Sequence, residues 1–179
     1  INHIPFLITQ PGRYVLAHDL SFHSSGTAIE VQADHVEIDL DGHTLDGPHR
    51  KDWISHGIHA YASDVTIHNG TLSGFMYGIE LATPKVGTRP SKIDIHHLIL
   101  HDHDFRGLRG ASISGCKVHH VLVQHIGGTV VSSDAYAFGI EFIAGDHNQV
   151  FQNHINHVEA VGIGESVGIA FTDEWNSEI

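Results

Sequence analysis

The feature of the sequence that most constrains the fold is a strand-like phrase that returns about every 29 residues. One series of copies begins at Val36, Val65, Ile93, Val121 and Val150, and a second begins at Ala28, Gly57, Gly78, Gly110, Gly139 and Gly168. Within each copy apolar residues alternate with polar ones, and Gly or Asn closes the segment. This pattern predicts short β-strands that are each followed by a turn.

The copies are expected to stack on one another. A repeat of about 20 to 30 residues that consists of strands and turns cannot bury its apolar side chains alone, so neighbouring copies must cover them. The chain has 179 residues, of which 41% are hydrophobic, and this suffices for one core. The sequence therefore predicts one all-β domain, a β-solenoid, over residues 1–179.

Two N-terminal segments resemble a known superfamily. The opening "PFLITQPGRYVLAHDL" and the following "GTAIEVQADHVEIDLDGHTLDG" are similar to the N-terminal cap and first coil of pectin-lyase-like proteins. The resemblance implies a right-handed, single-stranded parallel β-helix of about six coils, with a cap over residues 1–22 and coils over residues 23–179. Because that fold hosts lyases, hydrolases, epimerases and non-enzymes, it does not by itself select a reaction.

One outward strand position carries titratable side chains in successive coils. The residue after each buried Ile or Ala of the second series gives the column Glu30, His59, Glu80, Ser112, Glu141 and Ala170. A His flanked by carboxylates should have a raised pKa, and such a row could supply a general acid and a general base. The alternative interpretation is a solvated polar face that resists association.

Three loops that precede strands of this column carry most of the cations and several aromatic residues. They cover residues 46–55, 101–109 and 127–138, and a fourth insertion at residues 82–92 could wall the far side. Their candidate binding residues are Arg50, Lys51, Trp53, Arg106, Arg109 and Tyr136. Aromatic rings suit sugar faces and guanidinium groups suit carboxylates, so the loops favour a polyhydroxylated or carboxylated ligand.

The leading functional hypothesis is a carbohydrate-active enzyme that acts on an acidic polysaccharide or oligosaccharide by β-elimination or C5 epimerisation. Arg109 or Arg106 would neutralise the uronate carboxylate, and His59 would remove the C5 proton. Tyr136 or a Glu would protonate the opposite side or the leaving oxygen. Glycoside hydrolysis by Glu30 and Glu80 is the near variant.

Two other classes stay open at this point. One is a non-catalytic β-helix that serves as a binding or assembly module and takes up metal through its 19 histidines. The other is a lyase or isomerase of a small molecule on the same scaffold, because the chain is short for a polysaccharide groove.

The histidines raise the question of a metal site. The residues four positions after the strand starts are Asn69, His97, His125 and His154. Stacked parallel rings do not converge on a point about 2.1 Å from each nitrogen, so this column is interpreted as a structural ladder. In "HDHD" (residues 101–104), strand alternation would place the two His and the two Asp on opposite faces. No metal ligand and no cofactor is therefore predicted, although calcium or a transition metal stays open.

Composition limits the partners. A formal net charge of −12 with only nine Lys and Arg argues against a nucleic-acid surface. No apolar run approaches the roughly 20 residues that span a bilayer, so no membrane partner is expected. A saccharide or small carboxylated ligand is expected, with a secreted or periplasmic location. The last strand has no evident cap, so a homo-oligomer or another segment is predicted to cover residues 165–179.

Overall fold

The computed structural model describes residues 1–83 and 89–179, so the central part of the predicted wall at residues 82–92 lies outside the described residues. In the described part of the chain the fold is all-β, with parallel strands stacked into a solenoid of about five turns. The predicted β-solenoid is therefore confirmed, although the predicted six coils exceed the observed turns. Within the same residues, no helix is long and apolar enough to cross a membrane.

Among the described residues, seventeen strands, numbered in chain order, form two parallel sheets. The first, called sheet A, has seven strands: β1 (Phe6–Ile8), β4 (Gly26–Val31), β7 (Ser55–Ala60), β9 (Tyr77–Leu81), β11 (Arg106–Ala111), β14 (Ala137–Ile143) and β17 (Ser166–Thr172). Each strand pairs with the preceding and following members of this series, so each turn of the solenoid adds one strand.

The second sheet, sheet B, has ten strands. Its main path contains β2 (Gly12–Val15), β5 (Val36–Asp39), β8 (Val65–Ser73), β10 (Ile93–His101), β12 (Lys117–His119) and β15 (Gln149–Phe151). The short strands β3 (Leu20–Ser21), β6 (Thr44–Asp46), β13 (Leu122–Gly127) and β16 (His154–Glu159) complete it.

Sheet B bends where the backbone becomes left-handed. Asn69, in the middle of β8, has φ 63°, and His97, in the middle of β10, has φ 52°. In the neighbouring turns the residues His120 and Gln152 adopt φ 54° and 55°. Because a single residue of each coil is left-handed at this bend, the strand changes direction there without losing its alignment with the next coil.

The core is a column of aliphatic side chains in register. Ile29, Ile58, Ile79, Leu108 and Ile140 are paired successively across sheet A, and each is fully buried. The residue before each of the last four is a glycine. A Cβ at Gly78, for example, would lie 2.5 Å from the carbonyl oxygen of Gly107 in the next coil. Glycine at this position therefore permits the close approach of neighbouring coils.

The observed register corrects two predicted columns. Arg109 pairs with Glu80 on one side and Glu141 on the other, so Arg109 occupies the place assigned to Ser112. Ser112 lies beyond β11 in a left-handed turn, with φ 56°. The error arose because "GLRGAS" offers two glycines, and the repeat uses Gly107 rather than Gly110.

The predicted histidine ladder is also only partly correct. Asn69 and His97 are neighbours in the bend column, and the next member is His120, whose ring stacks on that of His97 at 5.0 Å. His125 instead packs against His157, with ring centroids 5.0 Å apart and the rings tilted by 30°, and His154 pairs with Leu122. Register partners on β10 and β12, such as Ile95 and Val118, are 23 positions apart, whereas Ile67 and Ile95 on β8 and β10 are 28 apart. Equal spacing in sequence therefore gave the wrong register.

Candidate functional site

Two outward columns run along sheet A, three residues apart. Each strand has two inward residues in succession between two outward ones, as the burial of β7 and β11 shows. The first outward column is Thr27, His56, Tyr77, Arg106, Phe138 and Val167. The second is Glu30, His59, Glu80, Arg109, Glu141 and Ala170. Side chains of both columns therefore contact one another on the outer face of the sheet.

Four of these side chains form a continuous ion-pair network. Arg109 Nη1 donates to Glu80 Oε1 at 2.7 Å, and Arg109 Nε lies 3.5 Å from Glu141 Oε2. The Nε of Arg106 donates to the same Glu141 Oε2 at 2.5 Å. The guanidinium of Arg106 also lies 3.7 Å from the ring centroid of Phe105. Both arginines that were predicted to bind a uronate carboxylate thus already have carboxylate partners.

His59 faces outward as predicted, but it is not solvated. Only 12% of its side chain is exposed, and its Nδ1 lies 3.1 Å from the hydroxyl oxygen of Tyr61. Burial lowers the pKa of His59, although the charges of Glu80 and Glu30 oppose this shift. The predicted rise of this pKa is therefore wrong, because loss of hydration outweighs the carboxylate neighbours.

Glu80 is the point on which several side chains converge. Its Oε2 lies 2.8 Å from His56 Nε2 and 3.6 Å from His59 Nε2, while its Oε1 accepts from Arg109. Burial opposes ionisation of this carboxyl, but hydrogen bonds from His56 and Arg109 prevail and lower the pKa of Glu80 to about 2. His56 was not predicted, and its ring is held by stacking on Tyr77 at 5.0 Å.

The other predicted residues of the loops fall into separate clusters. The guanidinium of Arg50 lies 4.8 Å from the ring centroid of Trp53 and pairs with Asp52 at 3.2 Å. Tyr136 is 48% exposed and stacks on Phe138 at 6.0 Å. The structure therefore brings Glu30, His59, Glu80, Arg109, Glu141 and Arg106 together but leaves Arg50, Trp53 and Ser112 apart from them.

A pocket of about 480 Å³ lies where the three predicted loops meet at the corner before sheet A. It is lined by His49, Lys51, Asp102, Asp104, His125, Ile126, Gly127, Gly128, His157, Glu159 and Ala160. Its size falls in the range of about 300 to 1,000 Å³ that is usual for small-molecule sites. Backbone hydrogen bonds hold its three loops together, because Thr129 N donates to Asp104 O and Val130 N donates to Lys51 O.

Asp104 is the most unusual group of this pocket. The residue is 6% exposed, and its Oδ2 atom is buried without a hydrogen-bond partner. Burial raises the pKa of Asp104 to about 6, against the opposing charge of Lys51. The expected alternation of "HDHD" ends at Asp102, which has φ 56°, so His103 and Asp104 are both buried.

A second group of possible cation ligands lies on sheet B. Donor atoms of Glu37, Asp39 and His68 lie within 4.8 Å of one another. Arg13 already pairs with both carboxylates, at 3.2 Å to Glu37 and 2.7 Å to Asp39. The positive charge that this group would attract is thus supplied by the protein.

Comparison with known proteins found no matching family model, no matching curated protein and no matching solved structure. The likeness to pectin-lyase-like proteins therefore stays a resemblance of sequence phrases.

One signal in the sequence could have found the missed residues of the first outward column. The phrases "HGIH", "YGIE", "RGLR" and "FGIE" at residues 56–59, 77–80, 106–109 and 138–141 share one frame, and their first letters are the missed outward column. Asp104 gives no such signal, because its burial depends on how loops distant in sequence pack over it.

Proposed function

We propose that the protein is a carbohydrate-active enzyme that cleaves a glycosidic bond in an acidic saccharide bound in the 480 Å³ pocket. The observation that carries the proposal is the buried Asp104 carboxyl, which lines this pocket and lacks a partner at Oδ2. A carboxylic acid whose pKa lies near neutrality is the group that protonates a leaving oxygen in glycoside cleavage.

The polar lining of the pocket fits a polyhydroxylated ligand. His49, His125 and His157 offer ring nitrogens, while Asp102 and Glu159 offer carboxylate oxygens. Hydroxyl groups both donate and accept hydrogen bonds, so they can satisfy this mixed set. Lys51 is the one Lys or Arg that lines the pocket in the described part of the chain, and it is the cation proposed for a uronate carboxylate.

The chemistry starts with proton transfer from Asp104. Its carboxyl proton passes to the glycosidic oxygen, and the bond between that oxygen and the sugar carbon breaks. In hydrolysis a water adds to the anomeric carbon and gives its proton to a base. In elimination the base instead takes the C5 proton of a uronate, a double bond forms between C4 and C5, and the bond that breaks joins C4 to the glycosidic oxygen, so no water is consumed. His125, His157 and Glu159 are the candidate bases of this pocket.

The ion pairs of Arg106 and Arg109 favour Lys51, rather than these arginines, as the group that binds the substrate carboxylate. Arg106 and Arg109 would have to leave Glu141 and Glu80 before they could bind a substrate carboxylate. Lys51, in contrast, lines the pocket. The catalytic roles assigned to His59, Glu30 and Tyr136 stay predictions.

The experiment is an activity screen of the full chain against polyuronates and neutral polysaccharides. New reducing ends report any cleavage, and ultraviolet absorbance of an unsaturated uronate separates elimination from hydrolysis. Asp104→Asn should lower turnover at least ~100-fold, the usual contribution of a general acid. Lys51→Met should raise KM for the acidic substrate with a smaller effect on kcat.

The matched control is Asp41→Asn, a substitution in an exposed left-handed turn that Asn also adopts readily. This variant should keep full activity. Cleavage of no saccharide in the screen, or normal turnover of folded Asp104→Asn, would contradict the proposal.

A further inference from the structure

We infer that His56, His59 and Glu80 form a binding site for a divalent transition metal ion such as Zn²⁺ on the outer face of sheet A. One ligand atom of each side chain lies within 4.8 Å of the other two. The inference does not rest on the proposed saccharide chemistry, which concerns the corner pocket.

The spacing of the donor atoms fits a tetrahedral ion. Around a metal with bonds of about 2.1 Å, neighbouring ligand atoms of a tetrahedron lie roughly 3.4 Å apart. His56 Nε2 and His59 Nε2 lie 2.8 Å and 3.6 Å from Glu80 Oε2, so the two observed distances bracket this value. Small movements of side chains would thus admit an ion that replaces the present contact between His56 and Glu80.

The fold brings these donors together through the paired outward columns. His56 and His59 are on β7, both outward because Gly57 and Ile58 turn inward between them. Glu80 pairs with His59 on the next strand, β9. The register therefore places two histidine ligands on one strand beside a carboxylate on its neighbour. Backbone hydrogen bonds between the two strands hold these three residues in position.

The outer contacts of the ligands are those that metal sites use. Tyr61 contacts His59 at Nδ1, which leaves Nε2 free toward Glu80, and this Nε2 has no hydrogen-bond partner among the described residues. Arg109 occupies Oε1 of Glu80 and leaves Oε2 for an ion. Such outer partners fix the ring orientation and the carboxylate, as in known metal centres.

Burial distinguishes this cluster from the surface histidines. The side chains of His56, His59 and Glu80 are 14%, 12% and 10% exposed. The group Glu37, Asp39 and His68 has comparable spacing, but the Glu37 side chain is 42% exposed and Arg13 pairs with both carboxylates. In the proposed site Arg109 occupies only Oε1 of Glu80. Two histidines and one carboxylate supply three ligands, so a fourth position would be left for water or a bound ligand, as in catalytic rather than structural zinc sites.

The test is calorimetric titration of tag-free, chelator-treated full chain with Zn²⁺, together with visible absorption after addition of Co²⁺. We expect one tight site per chain and the intense Co²⁺ bands of tetrahedral geometry. His56→Gln and His59→Gln should each weaken the tight site more than ~100-fold, beyond the usual effect of an outer-shell partner. Tyr61→Phe should weaken it by about tenfold.

The control is His97→Gln, which removes one ring of the exposed stack formed by His97 and His120. This variant should keep the tight site and lose only weak binding. Zn²⁺ should raise the melting temperature of the wild type and of His97→Gln but not of folded His56→Gln. Equal affinities for wild type, His56→Gln and His59→Gln would overturn the inference, as would loss of the tight site in His97→Gln.

Discussion

The guanidinium of Arg109 bridges two coils, because its Nη1 lies 2.7 Å from Glu80 Oε1 and its Nε lies 3.5 Å from Glu141 Oε2. All three residues are register partners on successive strands of sheet A. The two carboxylates are almost completely buried, at 8% and 4% exposure. Arg109, together with Arg106 at Glu141, thus supplies the positive charge that makes the burial of the two carboxylates tolerable.

Arg109→Met should destabilise the protein by about 2 kcal/mol. Removal of Arg109 takes one partner from each buried carboxylate, although Glu80 keeps His56 and Glu141 keeps Arg106. The cost is further reduced because 30% of the Arg109 side chain is exposed. Urea denaturation measures the change. In contrast, Arg50→Met removes a surface pair with Asp52 and should cost less than about 1 kcal/mol. Equal losses in both variants would show that the bridge has no special role.

Gly78→Ala should destabilise the solenoid by about 1 to 3 kcal/mol. The added Cβ would lie 2.5 Å from Gly107 O, and adjacent coils would have to separate. Gly168 occupies the same column, but a Cβ there would meet nothing closer than 3.8 Å. Gly168→Ala should therefore leave stability unchanged or raise it by up to about 1 kcal/mol. Thermal melting of the two variants measures the difference. Equal losses of stability would contradict the conclusion that Gly78 permits the close approach of neighbouring coils.

The repeat made the solenoid predictable, since strand, turn and stacking all follow from one period. Exact register was predictable only where the period was regular. Arg109 was missed in its column because "GLRGAS" contains two glycines that fit the phrase. His120 was missed because the coil from β10 to β12 has fewer residues than the other repeats that set the predicted spacing.

The sites were predictable to a smaller degree. The sequence identified His59 and Glu80 as neighbours on an outward face, because strand alternation and register alone decide this. It could not give the direction of the pKa shift of His59, which depends on how much water the packed columns exclude. The pocket at Asp104 depends on the packing of distant loops, which no local pattern encodes.

His103 should make the protein less stable as the pH falls. The ring is fully buried, and burial lowers its pKa to about 3. Between that value and the usual value near 6.5, the unfolded chain binds a proton that the folded chain does not, so stability decreases with decreasing pH. His103→Gln should remove about 1.4 kcal/mol per pH unit from this slope. Denaturation at several pH values measures it, and identical slopes would show that the ring is protonated when folded.

Asp104 should have the opposite effect on stability. Burial raises its pKa from 3.8 to about 6. Between these values the folded chain binds a proton that the unfolded chain has lost, so stability falls as the pH rises through this window. Above it, the buried carboxylate should cost on the order of 2 kcal/mol.

Asp104→Asn removes this ionisation with little change of shape. The variant should therefore match the wild type near pH 4 and exceed its stability near pH 8, by on the order of 2 kcal/mol. Asp41→Asn, at an exposed turn, should show no such pH-dependent gain. Denaturation of all three proteins at the two pH values is the measurement. If Asp104→Asn were less stable than the wild type at pH 8, Lys51 would stabilise an ionised Asp104, and the carboxyl could not be the proton donor proposed for the pocket.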